Sequence, residues 1–509
     1  MRTESTSVLV VGGGLVGLSA AVFLAWRGVP TVVVERHAGS SPHPRAVGYT
    51  PRTMELYRAV GLASSIPAAP AGLTVRRVRA TSLAGEWFEE QHWTPPSVQP
   101  AAPPVEYSPC TGAGIAQDRL EPLLRTHAAQ LGADVRMSTE LVSFEQDDDG
   151  VTATLRADGV DCRVRAAYLI AADGHRSPVR AALGIRRTGR GPLSTARSVL
   201  FRAPLEEYLS KGFAQFVIEQ PGLDAFLTTY GDGRWLLILS DDEDRDLATL
   251  DDLVRRAIGR SDRPVEIITT GRWDIAAEIA ERYTRGRVFL AGDAAHTLPP
   301  NRGAYSANTG IEDAHNLAWK LAAVLSGESD ARLLDTYEAE RRPIAWLCHD
   351  QLFARNDATT GTAIIDDFAM AFGHLYRSAA VLGVDDGLPP AQRPEQWAGQ
   401  PGTRAPHLWL SEGKSTVDLV RRGWVLLTDS DTWSVRRPET PGIPLDCHLV
   451  DSDEFRAAFG LRPGGASLIR PDGYIAWRSP DLPADPATEL AEALARVAAA
   501  PIGTKRNRR

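Results

Sequence analysis

The chain has 509 residues and a formal net charge of −8, with an isoelectric point near 5.8, a balance that argues against nucleic acid as a partner and reads the basic end Lys505-Arg506-Asn507-Arg508-Arg509 as a solvated terminus. Its four cysteines, Cys110, Cys162, Cys348 and Cys447, form no CxxC or metal-ligand spacing, so free thiols in a reducing cytoplasm and no metal site are expected. The one long apolar stretch near the start is broken by Arg27 and Glu35, which excludes a signal peptide or membrane span there, and at roughly 150 residues per domain the length allows about three domains.

The first element is the apolar run Val8-Leu9-Val10-Val11, which has the look of a buried parallel strand and turns through Gly12-x-Gly14-x-x-Gly17 into a helix running toward Gly28. A second strand, Thr31-Val32-Val33-Val34, ends in Glu35, correctly spaced to accept from a ribose hydroxyl while the helix N-terminus takes a pyrophosphate. Glu35 favours an unphosphorylated ribose, so the dinucleotide is FAD or NAD. Residues 74–104, rich in proline and carrying Trp87, Phe88 and Trp93, look inserted. A helix is expected over 117–131, with Leu120, Leu123 and Leu124 on one face. The segments 151–155 and 163–170 alternate like paired strands leading to Asp173.

From 198 to 240 the pattern is again strands, with Asp232-Gly233 as a hairpin signal between 226–230 and 235–239. Another buried strand, 287–291, puts Asp293 at a strand's carboxyl end, where it can bond a ribityl hydroxyl. The helical segment from Asn308 can turn its first amides toward a flavin pyrimidine, so the dinucleotide is read as FAD. Long helices follow over 333–356, and the proline-rich run 388–394 marks a boundary. Beyond it, strands at 424–427, 447–450 and 466–477 and a helix begun by Asp485-Pro486 form a third α/β unit.

At several of these points the chain resembles the class A flavoprotein monooxygenases of the p-hydroxybenzoate hydroxylase fold, in the branch of aromatic polyketide and related natural-product hydroxylases. The resemblance covers most of the chain. It is carried by the glycine fingerprint, Pro44-Arg45-Ala46 with Arg52-Thr53-Met54-Glu55, Gln117-Asp118-Arg119-Leu120-Glu121, Ala172-Asp173-Gly174-His175-Arg176-Ser177, Gly292-Asp293-Ala294-Ala295-His296 and Asn316-Leu317-Ala318-Trp319-Lys320-Leu321. It implies an α/β fold: a Rossmann-like FAD-binding domain (1–73, 105–185 and 275–387), an inserted α+β substrate domain with a mixed sheet (74–104 and 186–274) and a thioredoxin-like C-terminal domain (395–509). Without CxxC the last cannot run dithiol chemistry, and packing or dimer contact is its default role.

The resemblance further implies a cofactor site. Gly12, Gly14, Leu15, Val16, Gly17, Glu35, Arg36 and Val142 would bind the cofactor. Arg45, Gln117, Asp173, Gly174, Asp293, Pro300, Gly303, Ala307, Asn308 and Thr309 complete it, with Asp173 and Gly174 also serving NADPH (or NADH), for which there is no second nucleotide fold. Arg45 is the residue expected to act catalytically, as a cation favouring an anionic flavin or substrate. Trp87, Trp93, Phe216, Phe226 and Tyr230 are candidate walls for an aromatic substrate between sheet and flavin. The implied activity is hydroxylation of a phenolic, polycyclic polyketide-type intermediate by a flavin hydroperoxide formed from NAD(P)H and O2. Baeyer–Villiger insertion, epoxidation and simple sequestration of a reactive intermediate are the alternatives. A monomer or homodimer is expected.

The phenol base is not identifiable among His43, His175, His296 and Tyr283, and His296 reads as structural. One departure stands out. The family's short Gly-Gly-x-Gly loop after the paired prolines is here Asn301-Arg302-Gly303-Ala304-Tyr305-Ser306-Ala307. Either Tyr305 or Arg302 enters the flavin-ring site, or the loop bulges away; the tolerance of loops for insertions favours the second.

Overall fold

The computed structural model describes residues 3–69, 75–92, 106–210, 212–300, 305–356, 361–435 and 442–501; Trp93, Arg302 and Gly303 lie outside them. Strand Thr3–Val11 lies at the centre of a sheet ordered Thr284–Arg285, Val288–Leu290, Val160–Ala171, Thr3–Val11, Thr31–Val34, Asp134–Arg136. All neighbours from Val288–Leu290 to Asp134–Arg136 are parallel. A parallel strand covered on both faces must be apolar throughout, and Val8 to Val11 are buried. Helix Leu15–Trp26 packs against helices Tyr305–Ser326 and Gln117–Gln130, and most of its residues are buried. The expected pair 151–155 and 163–170 is an antiparallel hairpin that leads into the central sheet.

The second sheet is mixed. It runs His296–Thr297, Glu266–Ala280, Arg187–Arg202, Arg234–Leu239, Leu223–Thr229, Phe213–Gln220, Val75–Ala80, Trp87–His92, with only the Phe213 and Val75 strands parallel. The hairpin turn at Asp232-Gly233 forms as expected. Period-two alternation gives the sheet two faces. On one, Phe201, Phe216, Leu227, Trp235 and Leu237 pack with Leu253, Val254 and Ala257 of the amphipathic helix Leu247–Ile258. On the other, Leu200, Tyr230, Leu236, Ile238 and Trp273 meet Val47 and Ala116 of the nucleotide-binding part.

This alternation corrects two expectations. Phe216 is fully buried on the helix-covered face, and Trp87 stacks edge-on against it at 5.3 Å with its indole N–H donating to the Leu83 carbonyl. Phe216 is core, and the half-buried Trp87 packs against it on that same face. The sequence spacing shows that the strands alternate but not which face the helix takes.

The third sheet is ordered Leu445–Leu449, Trp424–Thr428, Ala466–Ile469, Ile475–Ser479, the first pair parallel and the others antiparallel. This is the thioredoxin arrangement, closed by helix Pro486–Val497, whose N-cap Asp485 accepts from the Thr488 amide as its sequence signal predicts. The four cysteines are free thiols. Among the described residues no helix is long and apolar enough to cross a membrane, and no His, Cys, Asp and Glu cluster could hold a metal ion.

Candidate active site

The glycine turn is built for a close approach. Gly12 has φ +108°, and a Cβ there would lie 2.2 Å from the Ala172 carbonyl oxygen; one on Gly17 would lie 1.9 Å from that of Gly12. Gly14 differs, because a Cβ on it would meet nothing nearer than Glu121 Oε1 at 3.8 Å. It is also the N-cap of the Leu15–Trp26 helix, without a side-chain cap and without an acid in the first turn. The helix therefore presents unsatisfied N–H groups and the positive end of its dipole to open space, the condition for binding a pyrophosphate. Leu15 is buried in the core, and Val16 packs under the Gly292 turn.

Glu35 Oε2 accepts from the Gly13 amide at 2.7 Å and Oε1 from the His37 amide at 2.8 Å. The His37 ring nitrogen Nδ1 also contacts Oε1 at 2.6 Å, so Oε2 is the oxygen that keeps a lone pair for a ribose hydroxyl. Arg36 beside it is exposed. Val142 is exposed at a register shift between Leu141 and Ser143, which frees its backbone from the ladder.

Two further segments converge on this turn. Asp173 Oδ2 accepts from the Val179 amide at 3.1 Å, whereas its buried Oδ1 has no hydrogen-bond partner; burial pushes this carboxyl above the usual range. A buried acceptor left open is costly unless a ligand donates to it. Gly174 follows at φ +82°. Arg180 then donates to the carbonyls of Ala294 and His175 at 2.8 Å each, pinning the Asp-Gly segment to the Gly292 turn. Asp293 Oδ1 accepts from the Ser306 hydroxyl at 2.9 Å, and its other oxygen lies 4.0 Å from Arg45. The orphaned Asp173 oxygen, the uncapped helix at Gly14 and the carboxylate of Asp293 suit a flavin dinucleotide.

Helix Tyr305–Ser326 approaches so closely that a Cβ on Gly310 would lie 2.7 Å from Val16 and 3.0 Å from Gly292 Cα. Its Asn308 side chain accepts from the Thr50 amide and the Thr53 hydroxyl at 3.0 and 2.6 Å, and Thr309 is buried while Ala307 is half-buried and Pro300 exposed. Tyr305 packs into the cluster formed by Leu298, Ile344, Cys348 and Met370. The residues of the unusual loop between 301 and 304 lie outside the described residues.

The Arg45 segment joins the cofactor side to the second sheet. Gln117 Oε1 accepts from the Arg45 and Ala46 amides at 3.4 and 3.3 Å, and the Tyr230 hydroxyl donates to the Pro44 carbonyl at 2.6 Å. Tyr230 is thus a strap whose ring faces the interface. Arg234, 5.3 Å over that ring, pairs with Asp118 at 2.7 Å, a link that two residues 116 positions apart do not announce in the sequence. Phe226 is half-buried on the same face, opposite Ile238.

Of the four candidate bases, His296 and Tyr283 are wholly buried, and His296 Nε2 contacts Asp313 at 2.7 Å, so neither reaches a substrate. His43 bonds the Ser198 hydroxyl at 2.8 Å through Nε2. Burial, with Arg45 second, lowers the pKa of both His43 and His175.

Comparison with known proteins agrees with this geometry. The FAD binding domain family matches residues 5–351, and the C-terminal domain of the aromatic-ring hydroxylases matches 398–501. The chain is 40% identical to the tetracenomycin A2 monooxygenase-dioxygenase of Streptomyces glaucescens over 99% of both chains. It is 41% identical to the 4-methyl-5-nitrocatechol 5-monooxygenase of a Burkholderia species, covering 96% of this chain and 97% of that one. Aklavinone-11 hydroxylase, solved with FAD and aklavinone, matches with a TM-score of 0.88 at 36% identity, over 98% of this chain and 100% of that chain.

Proposed function

The chain belongs to the FAD-dependent aromatic-ring hydroxylases, and we propose that it places one oxygen atom of O2 on an electron-rich ring of a polycyclic phenol, with NAD(P)H as reductant. The observation that carries this reading is the meeting, at the 44–47 segment, of a cation, a flavin-suited turn and the apolar sheet face of Leu200, Leu236, Ile238 and Trp273. A fused-ring substrate is favoured by the tetracenomycin and aklavinone named for two full-length relatives; the nitrocatechol enzyme marks the smaller alternative. On this reading residues 74–104 and 186–274 form the substrate unit, and Phe226 and Tyr230 belong to its walls.

FAD, when bound, supplies the electron transfer and oxygen activation. The chain's own residues do the rest. Gly14 and the helix N-terminus would receive the pyrophosphate at a turn that Gly12 and Gly17 keep tight, with Glu35 taking a ribose hydroxyl and Asp293 a ribityl hydroxyl. Asp173 Oδ1 accepts from the cofactor or from the reductant. The apolar face excludes water from the reacting ring. Arg45 favours the phenolate, whose extra negative charge makes the ring a better nucleophile. His43 and His175, whose pKa values burial and then Arg45 lower, are the proposed acceptors for the phenolic proton.

The test is NADPH oxidation by the yellow, FAD-loaded protein with and without a panel of fused-ring phenols, with peroxide measured alongside. Substrate-stimulated oxidation with little peroxide is the expected result. Equal rates with and without every phenol, all electrons emerging as peroxide, would contradict it.

A further inference from the structure

The C-terminal unit touches one helix of the flavin side directly near its middle and, through Tyr376 and Arg341, reaches its start. Asp472, at the turn between strands Ala466–Ile469 and Ile475–Ser479, accepts from the Trp319 indole at 3.0 Å and the Asn316 amide at 3.3 Å, near the middle of helix Tyr305–Ser326. Two residues on, the Tyr474 ring stacks on Tyr376 with centroids 4.0 Å apart and planes 13° from parallel. The Tyr376 hydroxyl accepts from Arg341 at 2.8 Å. Arg341 donates in turn to the Thr309 carbonyl at 3.1 Å and, through Nε, to Asp313 at 2.8 Å. The second oxygen of Asp313 accepts from the Gly292 amide at 3.2 Å and contacts His296. Arg341, Asp313 and His296 are wholly buried, so each contact works without competition from water, and a partner removed from such a pair is not replaced.

We propose that the C-terminal unit sets the position of the flavin-binding turn, with Tyr376 and Arg341 as the positioning residues that carry its grip to Gly292 and Thr309. This rests on the assignment of Asp293 and the start of the Tyr305–Ser326 helix to the flavin. It gives the redox-inert C-terminal unit a function: it fixes the carboxylate of Asp293 and the first amides of the helix relative to each other. Packed side chains hold discrete arrangements rather than deforming continuously, so loosening Tyr376 lets the turn leave its binding geometry while the chain stays folded.

The test compares FAD affinity with the thermal midpoint of the full-length apoprotein. Arg341→Met strands the Asp313 charge and tests folding more than grip. Tyr376→Phe deletes one acceptor and keeps the stack; Tyr474→Leu removes the C-terminal ring and keeps apolar bulk. Thr428→Ala is the control, because Thr428 donates at 2.9 Å to the Gly465 carbonyl and accepts from the Ser430 amide, both inside the C-terminal unit. The expected result is FAD binding weakened about tenfold by Tyr376→Phe and by Tyr474→Leu and less than about twofold by Thr428→Ala, with some loss of apoprotein midpoint in all three. FAD affinities within about twofold of the parent for Tyr376→Phe and Tyr474→Leu, or an equal loss in Thr428→Ala, would reduce the network to ordinary packing and overturn the proposal. Asp293→Ala is run beside them: parental FAD affinity there would overturn the site assignment itself, whereas weakened binding there with none in Tyr376→Phe would overturn the grip alone.

Discussion

Arg45 is more than half exposed and its nearest carboxylate is 4.0 Å away, so it contributes little to stability; pairs of this kind are worth about 0–1 kcal/mol. Its value lies in charge near the reacting ring. Arg45→Met is expected to leave the thermal midpoint within a degree or so while lowering kcat by roughly a hundred- to a thousandfold, the range for losing one electrostatic partner of a developing charge. Steady-state kinetics with thermal unfolding checks this, and a parental kcat would remove Arg45 from the chemistry. His374 is the opposite case. It is buried, its Nε2 has no partner, and burial, reinforced by Arg341 and Arg52, lowers its pKa to about 3. The unfolded chain takes up a proton near pH 6.5 that the folded chain refuses until about 3. Stability therefore falls as pH drops through that window, at about 1.4 kcal/mol per pH unit. His315, lowered well below its usual value by burial, acts in the same direction. Denaturant unfolding between pH 7.5 and 5 should show a shallower acid loss in His374→Gln than in the parent; parallel losses would contradict this account.

Gly310 shows how tertiary packing overrides helix propensity. Alanine in a helix interior is ordinarily better than glycine by about 1 kcal/mol. Here its methyl would meet Val16 at 2.7 Å and the Gly292 backbone at 3.0 Å, and overpacking costs about 1–3 kcal/mol. Gly310→Ala should therefore destabilise the chain and weaken FAD binding, as read by a melting curve and a flavin titration; a stabilised, FAD-replete variant would show the helix free to shift. Elements with local signals were legible in the sequence: the strand of Val8 to Val11 by its unbroken apolar run, the hairpin by Asp232-Gly233, the last helix by Asp485-Pro486. The site was legible only where it is local, at the glycine turn and the acids closing strands. The Asp313–Arg341 pair, 28 residues apart, has no local signature, and the buried faces of Phe216 and Trp87 depend on where a distant helix lands. Tyr230 was marked as a wall for its ring, but its hydroxyl bond to Pro44 required the loop to be seen.

Three sheets of four or more strands and two two-stranded ones make up the described molecule, and charged groups stitch the four-stranded C-terminal sheet to the rest. Glu340, wholly buried, accepts from Lys320 at 2.7 Å and from Arg470 at 2.6 and 2.8 Å. Glu55 is held between Arg52 and Arg404, and Asp472 beside Arg470. Buried ion pairs of this kind specify one docking arrangement more than they add stability, so the C-terminal unit acts as part of the enzyme and not as a tethered module. On the proposed function, the chain moves an oxygen atom from O2 onto an aromatic ring. The direct test is a reaction under ¹⁸O2 with NADPH and an accepted phenol, the product weighed by mass spectrometry. One ¹⁸O per product, with one NADPH consumed, is the predicted result; a product carrying no label, or an unchanged phenol beside peroxide, would contradict it.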